Sequence, residues 1–142
     1  MNDAIDDSMA GEKIDKVALV YIKNNRMMCT RSKGKSVFYM PGGKREPGET
    51  DVQTLVREIR EELSVDLVPG SLKWMGVFEA PAHGKPKGTV VRLLCYTGEY
   101  KGSLVPAAEV EEIAWLSYAD KAKLSEAGQE LFDWLKHWNL LK

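Results

Sequence analysis

The chain has little of what would anchor it in a membrane, staple it covalently or draw it to a polyanion. Its 142 residues carry 20 lysines and arginines against 21 aspartates and glutamates, a formal charge of −1 at pH 7. No global field therefore attracts nucleic acid or an anionic membrane, and any polyanion must be held by a local patch. The two cysteines, Cys29 and Cys95, lie far apart and show no metal-ligand spacing. They read as reduced, buried thiols of a cytosolic protein. No apolar run approaches the length of a membrane span, and Met1 to Lys13 lacks the apolar block of a signal peptide. That acidic opening (Asp3, Asp6, Asp7, Glu12) reads as a loose tail over 1–13, ahead of one domain over 14–142. Internal repeats and low-complexity segments are absent as well.

What is present alternates between two periods. Ile14 to Ile22 is rich in β-branched residues and reads as a strand; Asn24-Asn25 is a turn, and Arg26 to Arg31 its hairpin partner. Ser32 to Ser36 is a loop, with a short strand from Val37 to Met40. Thr50 to Leu63 is the clearest helix. Thr50 with Gln53 three residues on makes a capping box, and Asp51 suits the positive end of the dipole. At helical pitch Val52, Leu55, Val56, Ile59 and Leu63 gather on one side. Leu72 to Ala80 and Thr89 to Tyr100 read as strands around a loop, and Glu112 to Ser117 as another. Ser125 to Trp138 reads as a second helix, with Leu131, Trp134, Leu135 and Trp138 spaced for burial. Strands, helix, strands and helix in that order give an α/β (α+β) class, with a mixed sheet covered by helices.

The helix between those strand groups carries the chemistry. Gly43-Lys-Arg-Glu-Pro-Gly-Glu49 leads into Arg57-Glu58-Ile59-Arg60-Glu61-Glu62. Glu58, Glu61 and Glu62 fall at i, i+3 and i+4 on the face opposite the apolar one, where three carboxylates repel one another unless a cation sits between them. A merely solvated helix would interleave lysines at i+4, whereas Glu58 is followed there by Glu62. Hard oxygen donors of this kind suit Mg²⁺ or Mn²⁺, ions that serve phosphate chemistry.

The segment 43–65 closely resembles the Nudix box. Gly43, Glu49, Arg57, Glu58, Ile59, Glu61, Glu62 and Val65 match in register, and Ser64 stands where the family usually has glycine. If that position needs a left-handed backbone, serine costs about 1 kcal/mol there. Arg31, Tyr39 to Gly43, and Glu109 to Trp115 look like further landmarks of the family. The resemblance implies a Nudix-type α/β/α sandwich with a largely antiparallel central sheet. It also implies hydrolysis of a small nucleoside diphosphate-linked substrate by water attack at phosphorus, with Mg²⁺ (or Mn²⁺) held by Glu58, Glu61, Glu62 and the Gly43 carbonyl. Glu109 is a further carboxylate for an ion or for the water's proton, with Glu112 its neighbour, and the resemblance leaves open which of Glu61, Glu62 and Glu109 is the base.

Arg57 and Glu49 are implied to orient loop and helix, Glu49 with a water-bridged metal contact as the alternative. Arg31 is implied as a phosphate grip, set against a surface ion pair. Lys33, Lys35, Lys44 and Arg45 form a positive rim or are ordinary loop charges. His83 reads as an exposed loop residue rather than a substrate contact. Phe38 and Tyr39, with Phe78, are candidates for stacking on a base, and Trp134 and Trp138 for core or homodimer contacts. A sanitising role towards damaged nucleoside triphosphates follows by analogy only. The alternatives are removal of pyrophosphate from RNA 5′ ends, against which the near-neutral charge speaks, and a nucleotide sensor without hydrolysis.

Overall fold

In the computed structural model, which describes residues 12–82 and 85–142, the run expected as one strand over 14–22 is two: β1 (Lys13–Leu19) and β2 (Ile22–Lys23). The break at Val20 and Tyr21 is a crossing between sheets. Val20 N–H still donates to the Tyr96 carbonyl (2.8 Å), while the Tyr21 carbonyl already accepts from Met28 N–H (2.9 Å). Most of the expected N-terminal tail, and His83, lie outside the described residues.

The remaining strands are β3 (Arg26–Ser32), β4 (Phe38–Tyr39), β5 (Gly42–Gly43), β6 (Asp66–Leu67), β7 (Lys73–Pro81), β8 (Val90–Thr97), β9 (Tyr100–Lys101) and β10 (Val110–Leu116). They build one sheet in the order β5-β1-β8-β7 and a second with β10-β3-β2, on which β4 also pairs with β3; β6 and β9 form a ribbon. β1 and β8 run parallel, and β5, β7 and the partners of β3 run antiparallel. Among the described residues the α-helices are α1 (Asp51–Leu63) and α2 (Glu126–His137).

Strand alternation sorts the core into two layers. Val17 and Leu19 on β1 and Met28 on β3 pack with Leu55, Ile59 and Leu63 of α1. Ala18, Met27 and Cys29 face the opposite way, into a cluster with Leu131, Phe132 and Leu135 of α2. Sheets between two helical layers give the α/β/α sandwich. Both cysteines are fully buried and unpaired, and burial pushes the Cys95 thiol up to about 12. Among the described residues no helix is long and apolar enough to cross a membrane.

The capping box at Thr50 is formed: Gln53 N–H donates to Thr50 Oγ1 (3.1 Å) and Thr50 N–H to Gln53 Oε1 (3.0 Å). At the other end Ser64 is left-handed (φ 63°), the conformation that glycine would take without strain. Its hydroxyl donates to the Val105 carbonyl (3.0 Å), which offsets part of that cost. One packing expectation fails. α2 stops at His137, so Trp138 is the residue that caps it, and Trp138 is 61 % exposed although its spacing matched the buried stripe.

Candidate active site

The site begins with a strand that has no side chains. β5 is the Gly42-Gly43 pair, laid antiparallel on β1 with Gly42 opposite Ala18 and Gly43 opposite Val17. A Cβ on Gly42, whose φ is +145°, would stand 1.9 Å from the Val17 carbonyl oxygen. A Cβ on Gly43 would stand 2.6 Å from the Glu58 carboxyl carbon. The glycines therefore let α1 approach the sheet edge, and Glu58 lies directly against the backbone of Gly43.

Arg57 then locks the loop 44–49 to the helix. Its Nε and Nη2 donate to the two oxygens of Glu49 (2.7 and 2.9 Å), Nη2 also to the Lys44 carbonyl (3.1 Å), and Nη1 to Glu58 (2.6 Å). Glu49 further accepts from Glu46 N–H (2.8 Å) and Thr54 Oγ1 (3.0 Å). Its oxygens are thus taken by protein donors. Hydrogen bonds from Arg57, then from Glu46 N–H, hold its carboxyl at about 2, against an ordinary 4.5. A depressed pKa adds stability above the unfolded value, which is lost as the pH falls through the folded one. Urea stability of the wild type is therefore expected to decline from about pH 4.5 towards 2. Glu49→Gln should be less stable at neutral pH and show a flatter slope in that window. A slope identical to wild type would show that the Arg57–Glu49 bond contributes nothing.

Beyond this clamp lies a cavity of about 530 Å³, lined among others by Lys16, Tyr39, Gly43, Lys44, Arg57, Glu58, Glu62 and Glu109. Glu62 is its most deeply placed acid. It accepts one backbone hydrogen bond, from Gly42 N–H (3.0 Å). Burial, reinforced by the charges of Glu58, Glu109 and Glu61, pushes its carboxyl up to about 8. Burial raises Glu58 as well, against the pull of Arg57. Glu62 also stands in the last turn of α1, at the negative end of its dipole, which adds to the repulsion. Glu109 arrives from far along the chain because the segment before it caps the helix. Val105 and Ala107 N–H donate to the Leu63 and Glu62 carbonyls (2.9 and 3.0 Å), and the Glu109 carbonyl is held by Lys33 N–H (2.9 Å).

The other expected residues divide. Glu61 is on the open flank of the same turn, 3.6 Å from Arg57 Nη1, and does not line the cavity. Arg31 is not a free phosphate grip. β3–β10 register sets it opposite Glu112, a bulge brings Glu111 within reach as well, and it bonds both (3.0 and 2.9 Å) together with the Lys35 carbonyl. Phe38 is 9 % exposed and belongs to the α2-side core, so it offers no face to a ligand; Phe78 packs edge-on against Trp134 in that layer. Tyr39, next along β4, is 38 % exposed and lines the cavity. Lys35, Lys44 and Arg45 line it too, although Arg45 is bound to Asp51 and Asp15 (2.6 and 3.5 Å); Lys33 does not.

Lys16 was not singled out from sequence. The available signal was a lysine at an inward place of β1, in the row Ile14, Lys16, Ala18. It also lines a second chamber of about 450 Å³, walled by Val37, Val91, Leu93 and Leu124 and sharing Tyr39 and Lys44 with the acidic cavity.

The donor set of Glu58, Glu62, Glu109 and the Gly43 carbonyl consists of hard oxygens and fits a divalent cation in chemical type. Among the described residues no three acidic side chains converge as a finished ligand set. Arg57 holds Glu58, so a cation entering the cavity competes with that guanidinium for its oxygen.

Comparison with known proteins places this geometry. The NUDIX domain profile matches residues 13–136. An ADP-ribose pyrophosphatase of Methanocaldococcus jannaschii is 28 % identical over 127 residues, covering 89 % of this chain and 69 % of that one. The asymmetrical bis(5′-nucleosyl)-tetraphosphatase of Sus scrofa is 28 % identical over 119 residues, covering 80 % and 75 %. Among solved structures, a MutT protein of Methanosarcina mazei superposes with a TM-score of 0.72 at 20 % identity, over 91 % of this chain and 96 % of that one.

Proposed function

The chain belongs to the NUDIX domain family, and on that premise we propose that its acidic cavity hydrolyses a diphosphate bond in a small nucleoside diphosphate-linked substrate, with a divalent ion as cofactor. The chain is a pyrophosphohydrolase of this family. The observation that carries the finer reading is Glu62. It is a deeply placed carboxylate with one hydrogen-bond donor, near the charges of Glu58, Glu61 and Glu109, in a cavity also lined by Lys16, Lys35 and Lys44.

Glu58, Glu62, the Gly43 carbonyl and, after rotation from its flank, Glu61 are the groups that would hold Mg²⁺ or Mn²⁺. Bound there, the ion supplies neutralisation of the diphosphate and a lowered pKa for bound water. The chain's own groups do the rest. Arg57 and Glu49 fix the loop so that Gly43 stays against Glu58. Lys44 and Lys16 draw the anionic substrate in. Glu109, held by the capping segment, is placed to take a proton from attacking water without being bound by an arginine.

The test is a panel incubated with Mg²⁺ or Mn²⁺: ADP-ribose, dinucleoside polyphosphates, nucleoside triphosphates and their oxidised forms, and triphosphate-ended RNA. The names of the two relatives put the first two classes foremost. Release of a nucleoside monophosphate, abolished by chelation, is the expected result. Nucleotide binding without release from any of them would instead make the domain a sensor.

A further inference from the structure

Where the acidic cavity meets the apolar chamber, both are lined by the same residues, Lys16, Tyr39 and Lys44 among them. Lys16 projects from the centre of a sheet rather than from a loop, and among the described residues it makes no salt bridge. Its Nζ lies 5.5 Å from the centre of the Tyr39 ring. Half-buried cations are ordinarily paired with an anion or carried out to water. Here the surroundings add charge of the same sign instead, since Lys44 flanks it and Lys85 lines the chamber. Burial, then Lys44 and Lys85, lower its pKa, and only Glu62 opposes them. The missing counter-ion is one that arrives with a ligand.

The chamber behind Tyr39 states the shape of that ligand. At about 450 Å³ it is of the size that holds a small ligand moiety, and its walls are mostly aliphatic with one half-exposed aromatic ring, the polar exceptions besides the lysines being Ser125 and Glu126. It suits an apolar or planar group rather than a second phosphate chain. Two of its cations, Lys16 and Lys44, also line the acidic cavity that holds Glu62.

Building on the hydrolase reading, we propose that Lys16 is a specificity-determining residue that binds the phosphate joined to the moiety seated in the apolar chamber, so that the substrate passes the Lys16–Lys44 pair with its diphosphate towards Glu62. A lysine suits this place because its ammonium is a compact point charge that adapts to a tetrahedral phosphate.

Lys16→Met keeps the length of the side chain and removes its charge; Lys16→Arg keeps the charge. On the panel substrate that the wild type cleaves fastest, Lys16→Met is expected to raise KM about tenfold or more with kcat within about threefold, and Lys16→Arg to recover most of the loss. Calorimetric titration with AMP in the absence of divalent ions reads the same contact without turnover, and Lys16→Met should bind it at least about tenfold more weakly. Tm of Lys16→Met should equal or exceed that of the wild type, because a half-buried unpaired cation is removed. Unchanged KM and AMP affinity in Lys16→Met overturn the proposal, as does a wild type that binds no AMP. A lower Tm with unchanged KM overturns it too, assigning Lys16 to the fold alone. AMP binding that depends on Lys16 in a protein that cleaves nothing supports the contact and sinks the hydrolase reading, so the two failures are distinguishable.

Discussion

Glu62→Gln is expected to lower kcat on the order of 10³-fold or more, while making the metal-free protein more resistant to urea at and above neutral pH. Both effects come from one carboxylate. In the proposed hydrolysis it is the acid that faces the cavity most deeply, and glutamine keeps its shape while removing the charge that would attract a cation. In the free protein that same charge is a burden. Its folded pKa of about 8 lies above the ordinary 4.5. The unfolded chain therefore releases this proton near pH 4.5, whereas the folded one keeps it to about 8, and folding stability falls as the pH rises between the two. Glutamine does not titrate, so the variant should lack this decline. Steady-state kinetics and urea melts at pH 5 and pH 8 with chelator read the two effects separately. A variant that retains wild-type turnover is not missing a site residue, and one with wild-type pH dependence of stability refutes the burial argument.

Gly42→Ala should be the most destabilising single methyl that can be added near the site. The new Cβ would meet the Val17 carbonyl oxygen at 1.9 Å, inside a β1–β5 pairing that cannot move away without breaking. The backbone at φ +145° also lies outside what an L side chain adopts easily. Steric overlap and backbone strain together place the loss at about 4 kcal/mol or more, in the class of exceptional substitutions. Because Gly43 follows directly and lies against Glu58, residual folded protein should also lose activity. Urea denaturation gives the first result, and kinetics on the folded fraction give the second. A loss below about 1 kcal/mol would mean that β5 does not hold this register in solution.

The contrast between these two positions shows what could be read early. Glu62 was legible because helical periodicity is local: Thr50 and Gln53 announce the start of α1, and everything up to Leu63 follows in phase. Gly42-Gly43 was legible as a landmark of the family but not as a strand, since two glycines carry no alternation and their pairing exists only once β1 lies beside them. Arg31 shows the same dependence. Its identity suited a phosphate, but whether it was free rested on a bulge in β10 that brings Glu111 and Glu112 to it. Phe38 and Tyr39 form a strand too short for its pattern to say which ring faces in, and packing against α2 took Phe38. Trp138 continued a helical stripe one residue past the point where the helix ended. Lys16, a charge within a strand, carried no local signal of its own, and its place between two cavities exists only once sheet and loops close around it.

By itself the sequence determined the order of the longer strands and the two helices, the acidic face of α1 and the family to which that face belongs, because each depends on neighbours within a few residues. Tertiary structure alone decided which carboxylates share a cavity, which arginine is already spent on a partner, and which lysine lines the apolar chamber. Those outcomes depend on contacts between segments dozens of residues apart, as with Glu109 beside Glu62, and no local period records them.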